Sequence, residues 1–398
     1  MASKNDKYNI ICLSNQLWDF PNWTNKRHIM LRLAKKGQNV LFVDPPINAG
    51  NVFFRQIKRG LWSLKRLLTQ QKMDSGLRVY TPVNLLPFSG ITSKMHVNRI
   101  KKLAAKNFDP KLKTLLWVYH VEIPNLPEYI NDLKYDFLIY DCVDNYEGFP
   151  AYDTPQKKEK IRTIEKYLAQ KANVVFATAP GLIEKLKNYN NHVYFTPNVG
   201  DYEKFKDAKS LFSQIPEDLL KIPRPRVGFT GALDQYKFDL PLLKKIATEN
   251  PNCSFVLIGQ IALKDKDSKL KDLQIDNLKN IYFLGQRSYE VLQYYFAGFD
   301  AFIIPYVLND YTVGGCFPVK FHDSLAAGLP TIVTNLPAYA PFRDVCYIAK
   351  DHNEFSADIK KAIQEDSPQK IKARQDIAKD NNWDGKVEML LSIIGESI

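Results

Sequence analysis

Thr312-Val-Gly-Gly-Cys-Phe-Pro318-Val-Lys320-Phe-His-Asp323-Ser-Leu325-Ala-Ala-Gly328-Leu-Pro330-Thr-Ile-Val333 is the stretch on which the reading of this chain turns. The pair Gly314–Gly315 is expected to form a flexible loop leading into Pro318, whose restricted φ suits the first turn of a helix. Helix N-termini present free N–H groups and favour anions. Lys320 adds a cation near that end, and Asp323, three residues on, shares its helical face. Together they describe a nucleotide diphosphate site, with the helix end and Lys320 toward phosphate and Asp323 one turn deeper toward ribose hydroxyls. Spacing alone also describes an ordinary helix with an exposed Lys–Asp pair.

On both sides of this stretch, strand-like and helix-like segments alternate. Apolar runs fall at Asn9–Asn15, Asn39–Pro46, Arg78–Val83, Thr114–His120, Phe137–Tyr146, Asn173–Pro180 and Val193–Val199, with helical patterns between them. Near-continuous apolar strands separated by helices predict a parallel sheet covered on both faces. The rhythm breaks between Asp201 and Arg226, where Pro216, Pro223 and Pro225 lie among charges, and such a stretch suits an interdomain connection. A second series follows at Val227–Leu233, Ser254–Gln260, Ile281–Gln286, Ala301–Tyr306, Thr331–Leu336 and Cys346–Asp351. The expected fold class is α/β, with two doubly wound Rossmann-like domains facing across a cleft. The expected bounds are residues 1–205 and 206–372, with a helix over 373–398 packing back on the first domain.

A chain of 398 residues exceeds what one core usually supports, which agrees with two domains. Nothing approaches the ~20 apolar residues needed to span a bilayer, and the polar start, Met1–Tyr8, leads straight into a strand, so a cytoplasmic address is expected. Cys12, Cys142, Cys253, Cys316 and Cys346 show no metal spacing, the six histidines are dispersed, and no metal or cofactor is expected. The formal charge of +12 calls for an anionic partner. Basic residues concentrate at Arg55, Lys58, Arg59, Lys65, Arg66 and Lys72, the first five of them on a helical pattern over Arg55–Gln70. A second run holds Lys94, Arg99, Lys101, Lys102, Lys106, Lys111 and Lys113. A basic amphipathic helix of this kind suits an anionic membrane surface, which would make the protein peripheral on the inner face of the membrane. A core-facing helix with a basic outer side reads the same.

The order Pro318, Lys320, Asp323, Leu325-Ala-Ala-Gly328-x-Pro330 resembles the donor-binding motif of GT-B glycosyltransferases of the large family 4. Gly228-Phe-Thr-Gly231, Phe255-Val-Leu-Ile-Gly259, Ile281-Tyr-Phe-Leu-Gly285-Gln-Arg287 and Phe299-Asp-Ala-Phe-Ile-Ile-Pro305-Tyr306 are similar to that family too. In the first half, Gly37-Gln-Asn-Val-Leu-Phe-Val-Asp44 and Tyr140-Asp141-Cys-Val-Asp144-Asn-Tyr146 resemble the branch with teichuronic-acid-biosynthesis enzymes. The resemblance implies donor contacts at Gly231, Arg287, Tyr306, Gly315, Lys320 and Asp323. It also implies metal-independent transfer, with retention of anomeric configuration favoured. This chain departs in carrying the shorter Asp323 for glutamate, and in reading Ala-Leu-Asp-Gln-Tyr-Lys237 after Gly231, where an Arg/Lys pair is usual.

For the catalytic step, His120 follows an apolar strand and precedes Glu122. The family's N-domain histidine touches the donor sugar, and a structural strand-end histidine is the alternative. Asp141 and Asp144 lie at another strand end, where one could act as general base on an acceptor hydroxyl or cap the following turn. Asn15, Trp18, Trp23 and Tyr146 are candidate acceptor contacts. The expected function is transfer of a sugar from a UDP-sugar to a lipid-linked or glycan acceptor in envelope polysaccharide assembly. Two rivals are a GDP-mannose-dependent mannosyltransferase and a non-catalytic anion- or RNA-binding protein. The few aromatics near the first basic run make no regular stacking platform, so no nucleic acid partner is expected.

Overall fold

The computed structural model describes residues 7–20, 23–48, 71–73, 75–84, 90–263 and 270–398. The basic helix expected over Arg55–Gln70 lies outside them. The chain divides into two compact units, one of residues up to Thr196 with Val387–Ile398, the other Pro197–Lys386.

In the first unit the strands of the main sheet are β1 (Asn9–Leu13), β2 (Asn39–Val43), β3 (Gln71–Lys72), β4 (Arg78–Tyr80), β5 (Thr114–Val118), β6 (Phe137–Cys142), β7 (Val174–Ala177) and β8 (Val193–Phe195). They form one sheet in the order β8-β7-β6-β5-β1-β2-β4-β3. All pairs are parallel except β3 on β4, an antiparallel edge that the all-parallel expectation missed. The helices are α1 (Asn25–Lys35), α2 (Gly90–Asn107), α3 (Leu126–Asp132), α4 (Pro155–Lys171) and α5 (Pro180–Lys187). Every residue of β1, β6 and β7 is buried, because helices cover both faces of the sheet. Each Val, Leu, Ile or Phe sealed in this way contributes about 1.5–3 kcal/mol.

The second unit repeats the plan. The strands of its main sheet are β9 (Arg226–Thr230), β10 (Ser254–Ile258), β11 (Ile281–Gly285), β12 (Ala301–Ile304), β13 (Thr331–Thr334) and β14 (Tyr347–Ala349). Their order is β11-β10-β9-β12-β13-β14, the doubly wound arrangement whose ligand crevice lies where the order reverses, beside β9 and β12. Its helices include α6 (Leu240–Glu249), α7 (Leu292–Ala297), α8 (Asp310–Gly315), α9 (Lys320–Ala326), α10 (His352–Gln364) and α11 (Pro368–Asp380), and the last helix, α12 (Trp383–Ser397), belongs to the first unit from Val387 on.

Local chemistry explains the punctuation. Asp239 caps α6 by accepting the Leu242 amide at 2.8 Å, and Ser367 with Pro368 opens α11. Gly328, at φ +70°, ends α9; its N–H and that of Leu329 return to Leu325 and Ser324 carbonyls. The buried Arg374 of α11 then donates to the Gly328 carbonyl from Nη2 at 2.8 Å. Pro330 follows and β13 begins.

Two features differ from expectation. Gly314–Gly315 is no loop but the last turn of α8, which starts at an Asn309–Thr312 capping box. The second unit begins at Pro197 rather than after Phe205. Gly200 packs directly on the His322–Asp323 backbone, and Asn198 Nδ2 donates to the Phe317 carbonyl at 2.7 Å.

Candidate functional site

In the second unit, β9 ends in Thr230 and the chain turns at Gly231, φ +131°. Its N–H bonds to the Ile258 carbonyl at 2.8 Å. Gly259, which follows β10, lies so close that a Cβ there would stand 1.9 Å from the Gly231 carbonyl oxygen. The two glycines keep two strand ends in contact where any side chain would part them.

Over this turn stands the half-buried Lys320. Its Nζ donates to the Tyr306 hydroxyl at 3.2 Å and lies 4.2 Å from the centre of the Phe229 ring. Tyr306, just beyond β12, is anchored by its own N–H to Thr334 Oγ1 at 3.2 Å. Burial first and the charge of Lys237 second pull the Lys320 ammonium down to about 7, with Asp234 acting the other way. Lys237 Nζ sits 3.5 Å from Asp234 Oδ2 and 5.0 Å from the Tyr236 ring centre. Two ammonium groups thus share one neighbourhood, their repulsion opposed by Asp234 and, less strongly, by Asp323, and an entering anion would relieve it.

Gly231, Tyr306 and Lys320 are therefore brought together, as the motif implies. Gly315 is buried at the end of α8, one residue before Cys316, whose thiol also acts on Lys320. Asp323 is buried, and its Oδ1 accepts the Asp201 amide at 2.8 Å, so one carboxylate oxygen serves the chain itself. Arg287 has partners of its own: Nη2 meets Asp218 Oδ2 at 2.7 Å and Nε donates to the Tyr295 hydroxyl at 2.7 Å. At the start of α9 the amides of Phe321, His322 and Asp323 return to the Pro318 and Val319 carbonyls. Its amide-rich end is narrower than expected.

Lys237 is the residue the sequence reading passed over. Six positions beyond Gly231, it stands where a phosphate-binding pair was sought, and tertiary folding of the β9–α6 connection carries it to Lys320.

In the first unit, His120 is buried two residues past β5. Its Nδ1 accepts the Glu122 amide at 3.1 Å, which assigns the ring proton to Nε2. Burial, then the charge of Lys26, lowers its pKa to about 3, so the ring is neutral. Asp141 is 0% exposed and accepts Trp117 Nε1–H at 3.1 Å. It sits within β6 rather than at an open strand end, whereas Asp144, two residues beyond the strand, is half-buried. Lys26, in the first turn of α1, is only 6% exposed. Burial lowers its pKa against the opposing charges of Asp144 and Asp141. Its place after the first strand of a doubly wound sheet was the signal that could have found it.

Two proposed acceptor contacts are core residues instead. Tyr146 is fully buried and donates to the Tyr119 carbonyl at 2.5 Å, and Trp18 packs edge-on against Phe42. Among the described residues, no group of three or more His, Cys, Asp or Glu side chains is placed to hold a metal ion. No described helix is long and apolar enough to cross a membrane.

Residues 224–365, which carry this lysine–glycine arrangement, match the family described as Glycosyl transferases group 1. With two doubly wound units, the fold and that domain define the class: the chain is a glycosyltransferase of the GT-B fold. It is 24% identical over 351 residues to TuaH of Bacillus subtilis (strain 168), named for teichuronic acid biosynthesis, covering 82% of this chain and 85% of that one. Among solved structures, Anabaena Alr3699/HepE with UDP and glucose superposes with a TM-score of 0.69 at 16% identity, covering 98% of this chain and all of that one. Sucrose-phosphate synthase from Thermosynechococcus elongatus gives 0.69 at 14% identity, covering 98% of each.

Proposed function

We propose that this glycosyltransferase takes a sugar from a UDP-sugar and delivers it to a lipid-linked or glycan acceptor in assembly of a cell-envelope polysaccharide. The observation that carries the donor assignment is Lys320, held over Gly231 by Tyr306 and repelled by Lys237. A diphosphate placed there relieves that repulsion and receives charge-assisted hydrogen bonds. The UDP and UDP-glucose complexes of HepE support a uridine donor. TuaH supports the polysaccharide context.

In this reading the nucleotide is the leaving group, and the charge that develops on its β-phosphate is met by Lys320 and Lys237. The glycine turn allows the phosphates to approach the backbone. Asp323 serves the ribose or pyrophosphate end, while Gly315 and Arg287 border the site. On the first unit, the neutral His120 offers its Nε2–H to a sugar hydroxyl, and Asp144 polarises the acceptor hydroxyl. Retention of configuration is the favoured outcome.

Thermal denaturation with UDP or GDP tests the donor, since a nucleotide that binds only the native state raises its melting temperature. Stabilisation by UDP alone is expected. Stabilisation by GDP alone would favour a mannosyl donor, and none by either would remove the donor assignment.

A further inference from the structure

We propose that the outer face of α2 is a docking surface for an anionic lipid bilayer. The helix has a sealed inner side of Thr92, Ser93, His96, Val97, Ile100 and Leu103. Polar bonds hold it in register. His96 Nε2 pairs with Asn84 Oδ1 at 2.6 Å and His96 Nδ1 with the Tyr80 hydroxyl at 3.1 Å, while Asn125 Nδ2 donates to Ser93 Oγ at 3.0 Å. The opposite side cannot turn inward.

That opposite side is unusual in composition. Ile91 is 73% exposed and Met95 64%, one turn apart at the N-terminal end. Below them Lys94, Arg99, Lys102 and Lys106 are all exposed. Residues 90–113 hold seven cations against the single acid Asp109, half of the chain's formal charge of +12. Two bare apolar side chains beside a basic stripe fit a headgroup layer, which offers hydrocarbon and anionic phosphate together. A nucleic acid offers the phosphate but no hydrocarbon. Its bases would also need aromatic platforms, and Phe108, packed against the core, is the one Phe, Tyr or Trp in that stretch. Docking here rests on the transferase reading for its purpose, a lipid-linked acceptor, but its test does not.

The full-length protein is co-sedimented with vesicles of mixed phosphatidylglycerol and phosphatidylcholine, and with pure phosphatidylcholine. One variant carries Lys94→Glu, Arg99→Glu, Lys102→Glu and Lys106→Glu; a second carries Ile91→Ser and Met95→Ser. Each basic residue near an anionic surface is worth about a fivefold factor in partitioning. The charge variant is therefore expected to lose at least a hundredfold of its affinity for the anionic vesicles. The serine variant is expected to lose several-fold, and its residual binding to vanish in high salt. Stabilisation by UDP, measured on the same samples, should be unchanged and reports that each variant is folded. Wild-type affinity in the charge variant would overturn the proposal, as would a serine variant that binds like wild type while single-stranded RNA competes. Vesicle binding without any UDP stabilisation would instead sink the donor reading and leave this surface standing.

Discussion

The space beside Gly231 belongs to Lys320: a Cβ built on the glycine would stand 2.3 Å from the lysine Nζ. The φ of +131° at Gly231 is also one that other residues rarely adopt. Gly231→Ala therefore strains the turn and displaces the ammonium at once. A stability loss of about 1–3 kcal/mol is expected, read as a lower denaturation midpoint, with at least a tenfold loss of UDP affinity by calorimetry. Unaltered UDP binding would show that Lys320 does not need its present position.

Lys320→Met separates binding from stability. A charge-assisted hydrogen bond contributes about 1.5–3 kcal/mol, so UDP affinity should fall between ten- and a hundredfold. The melting temperature should hold or rise, because the buried ammonium beside Lys237 opposes folding. A variant that lost stability and binding together would mark Lys320 as structural.

The same group sets a pH dependence. The free protein releases the Lys320 proton at about 7, and a bound diphosphate requires it. UDP affinity should fall as pH rises through that value, because above it each binding event must first take up a proton. The slope should be absent in Lys320→Met, and titration calorimetry across this range reads both.

In the proposed function His120, neutral above about pH 3, serves as a donor from Nε2 and not as an acid or base. His120→Ala should lower turnover by at least tenfold, and His120→Gln, which keeps an N–H, should recover part of it. The wild-type pH–rate profile should have no limb that disappears with the histidine. Such a limb near the ordinary histidine pKa would contradict the assignment.

Asp44 tests the fold of the first unit. Its carboxyl, bonded to the Trp18 amide and the Thr81 hydroxyl, is pushed by burial up to about 7. The unfolded carboxyl titrates near ~3.9. Between these values the folded state binds more protons, so this group's contribution is fully present below about pH 4 and lost as pH rises to 7. Asp44→Asn should cancel that decline and leave the variant the more stable above pH 7, as urea midpoints at the two ends of the range would reveal.

Much of this architecture could be read from neighbouring residues. Runs such as Ile10–Leu13 and Phe255–Ile258 are apolar throughout because parallel strands are covered twice, and right-handed crossovers leave few orders for them. Gly328 and Pro330 mark a helix end by their own backbone limits. What lay beyond reach was every feature that depends on residues far apart in the chain. Asp323 accepts the amide of Asp201, 122 positions away, and Lys237 meets Lys320 only once the connection after β9 has folded over the sheet. Gly314–Gly315 has the composition of a loop, yet the Asn309 cap and the burial of Gly315 hold it in a helix. Trp18 and Tyr146 resemble ligand contacts by type, and only packing shows them to be core. Periodicity is set by the few residues within a turn or a strand, whereas the partner of a buried carboxylate or ammonium is chosen by which distant elements close upon it.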